Sequence, residues 1–229
     1  MNFSYNTLNP RDALGDLNEV ELKNAPDILY MSGDEALLKA KTKISIVGTR
    51  KPSDEGCKRT RSLVKKLVEN DIIIVSGLAL GVDTIAHTTA IETGGKTITV
   101  LGTPLDTPYP ANNKNLLEEI EKNHLAISQF PSGMTFQRKN FPMRNRTMAL
   151  ISDATIIIEA GEKSGTRHQG WEALRLGRPL FLLASLVENQ ELTWPKEMLS
   201  YGAEILTRDN LETVINNLPD FSAGEEVDF

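Results

Sequence analysis

The sequence predicts an α/β fold, an open and mostly parallel sheet with helices on both faces. Three observations carry that expectation. From about residue 40 onward, short β-rich runs alternate with stretches of helical spacing. Those stretches are long enough to serve as the crossovers that parallel strands require. The strand runs are apolar at nearly every position, the pattern of strands covered on two sides.

Taken in order, Ile28–Met31 in PDILYMSGD reads as a short strand ending in a turn, an added edge strand. Ile44–Val47 is the next strand. It leads to a helix over Asp54–Asn70, where Cys57, Val64, Leu67 and Val68 share a side and Lys58, Arg59, Lys65 and Lys66 fall mostly elsewhere. Strand Ile72–Val75 precedes a helix over Gly81–Thr93, which carries Val82, Ile85, Ala86, Ala90 and Ile91 and stops at Gly94-Gly95. Thr97–Leu101 and Leu125–Ser128 are strands. Helix Asn140–Ile151, strand Ala154–Glu159, helix Gly165–Leu176 and strand Pro179–Leu183 complete the clear alternation. Beyond residue 184 the pattern weakens to a helical turn near Trp194–Tyr201, a strand Glu204–Leu206 and a last helix Asn210–Asn217. No repeat or low-complexity linker interrupts it. The expected organisation is an N-terminal extension over 1–40, one domain over 41–218 and an acidic tail over 219–229.

Composition narrows the function classes. The single cysteine, Cys57, rules out an internal disulfide framework and any CxxC metal cluster. His87, His124 and His168 are far apart in sequence with no ligand spacing, so no metal or other cofactor is expected. The N-terminus MNFSYNTLNPRD lacks the basic region and apolar run of a signal peptide, and the longest apolar runs are too short to span a bilayer. The expectation is a cytoplasmic protein with no membrane partner. A net charge of −6 argues against a general polyanion binder, but it averages over unlike regions. Arg50 to Lys66 holds seven Lys/Arg against two acids, and Arg138 to Arg178 holds eight against four. Asp209 to the C-terminus holds six acids and no Lys or Arg. Each basic cluster reads as a solvated helix face or as a local anion-binding face.

In a parallel α/β sheet, ligands bind beyond the carboxyl ends of the strands. The segments there are Gly48-Thr49-Arg50, Ser76-Gly77-Leu78, Gly102-Thr103-Pro104, Gln129-Phe130-Pro131 and the run Ala160 to Thr166 with Ser164-Gly165-Thr166. Glycines and hydroxyls there serve either as ordinary turn and cap residues or as close-approach donors to phosphate. A second element is Arg138-Lys139-Asn140-Phe141-Pro142-Met143-Arg144-Asn145-Arg146, with Pro142 in the first turn of a helix. Arg144 and Arg146 point to different sides of that helix, and one of them anchoring Asp153 is the plainer account. Cations beside an aromatic ring are also what single-stranded nucleic acid requires, so Phe141 is either core or a stacking face. Asp83 caps or pairs at its helix start, or lines the site. Walker A and GxSxG sequences do not occur, and Cys57 lies mid-helix, which makes it a poor nucleophile candidate.

ISIVGTR, IIIVSGLALGVDTIAH, TITVLGTPLDTPYPANN, ISQFPSG and NFPMRNRTMALISDATIIIEAGEKSGT closely resemble the core of the DprA/Smf DNA-processing proteins, in order from about Pro26 to Leu183. The resemblance implies an extended Rossmann-like fold, single-stranded DNA as ligand, a RecA-type recombinase as partner during transformation and recombination, and a homodimer. It places the anion loop at Gly48, Thr49 and Arg50, with DNA contacts at Arg138, Phe141, Arg144, Asn145 and Arg146. It also matches Ser76-Gly77 and Ser164-Gly165 to the family's turns. Adding neighbouring Lys139 and Thr166 completes the expected phosphate- and DNA-binding set. Catalytic residues are not expected. Thr166 to Glu172 departs from the usual small apolar helix start of the family. That departure resembles the lysine-decarboxylase-like phosphoribohydrolases, in which an Arg-bearing helix precedes a glycine loop and a carboxylate. On that alternative Glu172 would serve nucleotide N-glycosidic hydrolysis. A nucleotide sensor without turnover would use the same pocket.

Overall fold

The computed structural model describes residues 5–15, 17–39, 42–135 and 137–218; the expected tail over 219–229 lies outside them. Among the described residues, nine strands form one sheet. In chain order they are β1 (Asn6–Leu8), β2 (Leu29–Gly33), β3 (Lys43–Val47), β4 (Ile73–Ser76), β5 (Thr97–Leu101), β6 (Leu125–Ser128), β7 (Ala154–Ile157), β8 (Leu180–Leu183) and β9 (Glu204–Leu206). Their spatial order is β1-β2-β6-β5-β4-β3-β7-β8-β9. The seven strands β3 to β9 run parallel to one another, and β2 joins β6 antiparallel with β1 outside it. The extended Rossmann-like, mostly parallel sheet is as expected. The strand over PDILYMSGD differs in one respect: β2 is second from the edge, because Asn6–Leu8 pairs outside it.

Alternation along the buried strands divides the core. Ile44, Ile46, Ile74 and Ile156 face Leu63, Val64 and Leu67 of α3 (Asp54–Glu69) and Val82, Ala86 and Ala90 of α4 (Val82–Glu92). Val47, Val75, Val100 and Ile157 face the other side, with Met148 of α6 (Asn140–Leu150), Ala173 of α7 (Thr166–Arg175) and Met198 of the short helix Trp194–Ser200. Period-2 alternation with both faces covered is why the strand runs read as continuously apolar. The helix Lys114–Asn123, between β5 and β6, packs Leu117 and Ile120 against Leu101 and Ala126. Near the N-terminus, Asn18 and Glu21 form a capping box that starts the helix Glu19–Asn24. Glu21 then makes a buried ion pair with Arg178, just before β8, which pins this segment to the sheet's second face.

Two buried polar groups tie the sheet to its helices. Asp153 accepts the Lys43 backbone N–H at 2.7 Å and pairs with the Lys43 ammonium at 3.6 Å, which ties it to β3. His87, on α4, is completely buried with Nδ1 2.7 Å from Thr97 Oγ1. Its Nε2 has no hydrogen-bond partner among the described residues. Among those residues, no helix is long and apolar enough to cross a membrane.

Burial, with smaller contributions from His124 and Arg144, pushes the His87 pKa down from 6.5 to about 3. A histidine held neutral in the folded chain and free to protonate when unfolded lends stability above its ordinary pKa. That stability is lost as the pH falls from 6.5 toward 3, because the unfolded state then binds the extra proton. Urea unfolding between pH 7 and 4.5 is therefore expected to show a steeper acid loss in the native chain than in His87→Gln. The difference should approach ~1.4 kcal/mol per pH unit; equal slopes would contradict it.

Candidate functional site

The loops leaving β3 and β7 part at the point where strand order reverses: β4 to β6 lie on one side of β3, and β7 to β9 on the other. A cleft of about 750 Å³ opens there, lined by both loops, by α6 from Phe141 to Met148, by the start of α7, and by Ala79 and Asp83 after β4. Cross-links set its walls. The Thr49 N–H donates to the Glu159 carbonyl at 2.6 Å, and the Val82 N–H donates to the Thr49 carbonyl at 3.2 Å. Thr166 Oγ1 donates to the Gly48 carbonyl at 3.0 Å, tying the start of α7 to the β3 loop. The Glu159 carboxylate accepts the Ser53 N–H at 3.0 Å and the Ser53 hydroxyl at 2.8 Å, directly before α3. The chain's own carboxylate thus sits where the dipole and free N–H groups of α3 would attract an anion.

The floor holds two buried side chains of opposite charge, Asp83 and Arg144. Asp83 Oδ2 accepts N–H groups from Gly77 at 3.1 Å and Ala79 at 3.3 Å. Burial raises the Asp83 pKa, opposed first by the Arg144 charge. Burial likewise pulls the Arg144 guanidinium below its ordinary value, with Asp83 opposing and Arg50 adding to the pull. Arg144 Nη1 donates to the Val100 carbonyl at 3.1 Å. Its guanidinium packs against Gly77, where a Cβ would meet Nη1 at 1.3 Å. Above it, Phe141 is half-buried, with its ring against the backbone of Gly102. The Arg50 guanidinium stands 5.7 Å and that of Arg144 6.0 Å from the ring centroid, within cation–π range.

Of the residues singled out in the sequence, Gly48, Thr49, Arg50, Phe141, Arg144, Asn145, Ser164, Gly165 and Thr166 line this one cleft. Gly77 lies beneath Arg144 and borders an adjoining recess. Four expectations need correction. Ser76 is fully buried, and its hydroxyl donates to the Ile46 carbonyl at 2.7 Å. Arg146, two positions past Arg144 and so on another side of α6, pairs with Glu172 at 3.2 Å and borders a separate groove. Arg138 and Lys139 are exposed on the turn that opens α6 and do not line the cleft. The expected main-chain donors are also partly engaged. Besides Thr49 and Gly77, the Ser164 N–H donates to the Gly161 carbonyl and the Thr166 N–H to Ser164 Oγ. Diverging loops satisfy their own amides, because an unpaired buried N–H is costly.

Charge at the cleft comes instead from side chains. Lys51 and Lys163 are exposed lining residues that join Arg50, and neither stands out in the sequence. Each adjoins a loop residue that does, which is the signal the sequence offers for them. With buried Arg144, these cations face a single lining carboxylate among the described residues, Asp83. Phe141 is therefore neither plain core nor freely exposed: it is a recessed face among cations. Glu172 does not line the cleft; it is buried between Arg146 at 3.2 Å and Arg175 at 3.6 Å.

Residues 13–219 match the family described as DNA recombination-mediator protein A. Protein Smf of Synechocystis is 36% identical over 210 residues, covering 90% of this chain and 53% of the relative. DNA processing protein DprA of Streptococcus pneumoniae is 36% identical over 187 residues, 82% of this chain and 66% of the relative. The X-ray structure of the latter superposes with a TM-score of 0.80, over 94% of this chain and 75% of that one. DNA processing protein A of Helicobacter pylori, whose structure is described in terms of a single-stranded DNA binding mode, superposes with a TM-score of 0.79 at 34% identity. That match covers 95% of this chain and 96% of that one. The chain spans between about half and two thirds of the length of these two curated relatives.

The contact at Gly77 can be checked without a ligand. Gly77→Ala should cost about 1–3 kcal/mol of unfolding free energy by driving Arg144 off its seat. Gly161→Ala, where an added Cβ meets nothing within 4 Å, should stay within about 0.5 kcal/mol. Equal denaturant midpoints for the two variants would refute the packing argument.

Proposed function

This chain belongs to the DNA recombination-mediator protein A family, and from that premise we propose that it binds single-stranded DNA in DNA processing and recombination. The observation that carries the reading is the meeting of Arg50, Lys51, Lys163 and buried Arg144 with the recessed ring of Phe141 in one cleft. Phosphates follow the exposed cations, and a base stacks on the ring. A ring set inside a cleft is open to an unpaired base and closed to one stacked within a duplex. Arg50 and Lys163 are first-contact groups. Arg144 acts by its field and by holding Phe141, Gly77 and Val100 together. Gly48, Thr49, Asn145, Ser164, Gly165 and Thr166 shape the wall, and Arg138 and Lys139 extend the basic rim outside the cleft.

The binding unit we assign is 41–218, with 1–40 as an extension. The reading includes a cytoplasmic setting, a homodimer and a RecA-type recombinase that receives the strand. Two copies on one strand would raise affinity through effective concentration, which suits a site with few cations. Nucleotide hydrolysis is disfavoured by the Arg146 and Arg175 pairs that hold Glu172 away from the cleft.

Fluorescence anisotropy with a labelled single strand, the matched duplex and free mononucleotides tests this. Expected is preference for the single strand, with affinity that falls as salt rises. In Arg50→Ala and in Lys163→Ala the affinity should drop, and the log–log salt slope should shrink by about 0.7 for each phosphate no longer neutralised. Equal affinity for strand and duplex, or unchanged slopes in both variants, would overturn it. Release of free base from AMP would select a hydrolase, and tight binding of one mononucleotide without strand binding a sensor.

A further inference from the structure

Arg50 and Lys51, the exposed cations after β3, are carried on the loop from Thr49 to Ser53. Glu159, just past β7, grips that loop at both ends. Its main-chain carbonyl accepts the Thr49 N–H at 2.6 Å. Its carboxylate accepts the Ser53 N–H at 3.0 Å on one oxygen and 3.3 Å on the other, and the Ser53 hydroxyl at 2.8 Å. The first turn of α3 leaves room for it, since a Cβ added to Gly56 would collide with the carboxylate. Between the two grips the backbone has little freedom. The Lys51 N–H donates to Thr49 Oγ1 at 3.2 Å, and the ring of Pro52 fixes its own φ. The Arg50 carbonyl packs against Gly81, where φ is +83° and a Cβ would stand 2.7 Å from that oxygen.

We infer that Glu159 is a positioning residue: it acts through Arg50 and Lys51, by holding the loop that carries them in its binding form before a strand arrives. The inference rests on the single-strand reading above and names what fixes the geometry of its first cationic contacts. Capping α3 does not by itself account for the carboxylate. Ser53 Oγ already accepts the Gly56 N–H at 3.0 Å, so that helix has its cap. By its charge Glu159 opposes a phosphate, and by its bonds it prepares two cations to receive one. These two effects have opposite signs and separate cleanly by substitution. A loop fixed at both ends has little order left to gain, so a ligand meets only the cost of arranging the two side chains. With the Ser53 end released, the ligand must order the loop as well.

The test measures oligothymidylate affinity in Glu159→Ala and Glu159→Gln. The first releases the Ser53 end and leaves the main-chain tie to Thr49 in place. The second keeps an acceptor for the Ser53 N–H and a donor for its hydroxyl, and removes the charge. Glu159→Ala should bind about twofold to tenfold more weakly, the scale of ordering one more side chain on binding. Glu159→Gln should bind as the native chain does, or more tightly. In a chain that also carries Arg50→Ala and Lys51→Ala, adding Glu159→Ala should no longer weaken binding, because the groups it acts through are gone. Without any ligand, amide exchange at Lys51 and Ser53 should quicken in Glu159→Ala and stay native in Glu159→Gln. If thermal midpoints show Glu159→Ala unfolded, Glu159→Asp, one methylene too short for Ser53, takes its place with the same expectations. Native affinity in the shortened variant would overturn the inference, as would equal weakening by Gln or an undiminished loss in the Arg50 and Lys51 background. Tighter binding by both variants would leave Glu159 an opposing charge only, and overturn it too. Failure of the native chain to bind oligothymidylate at low salt would instead sink the single-strand reading, and the inference with it.

Discussion

Everything at the site depends on one topological constraint: β3 has its sequence successors on one side and β7 on the other, so the loops leaving these two strands must separate. Separated loops expose main-chain groups that packed turns would pair, and the chain answers with ties across the gap. Thr49 to Glu159, Val82 to Thr49, and Thr166 to Gly48 hold the walls at a fixed spacing. Each tie uses up a donor. The same bonds that keep the cleft open remove several amides from ligand binding, and Glu159 fills the start of α3 with the protein's own negative charge. What these walls leave open is charge on side chains more than free backbone amides.

That division of labour explains the two kinds of cation. Arg144 is buried beside Asp83, and its guanidinium is part of the architecture: it spans Gly77 and the end of β5 and supports Phe141 from below. Taking such a charge out of water costs several kcal/mol unless other groups compensate it; the Val100 carbonyl accepts from the guanidinium, and the charge of Asp83, itself held by two backbone N–H groups, opposes the effect of burial. Arg50, Lys51 and Lys163 stay exposed, keep their hydration and can exchange it for phosphate. A chain with net charge −6 can present this face because attraction to phosphate acts over about a Debye length and not over the whole molecule.

Much of this is legible in the sequence, and the failures have physical causes. Apolar runs of four to six residues mark β3 to β8, because a strand buried on both faces has little choice of side chain. Asn6–Leu8 leaves no such mark, since an edge strand of three residues with two exposed positions is stabilised by pairing to β2 and not by burial. Arg144 and Arg146 look equivalent as charges. Two residues along a helix turn the side chain through about 200°. What awaits each direction, Gly77 and Val100 for one and Glu172 for the other, comes from distant parts of the chain.

Sequence by itself determined the alternation of strand and helix, the parallel sheet with both faces covered, and the set of loops from which a site had to be built. These are local properties, set by hydrophobic period and turn chemistry. The run of motifs added the family. Only the tertiary structure decided which cations face the cleft, which are buried as struts, and which amides remain for a ligand. Those outcomes depend on contacts between residues 26 to 118 positions apart, and burial assigns a charge its role only after the chain has closed around it.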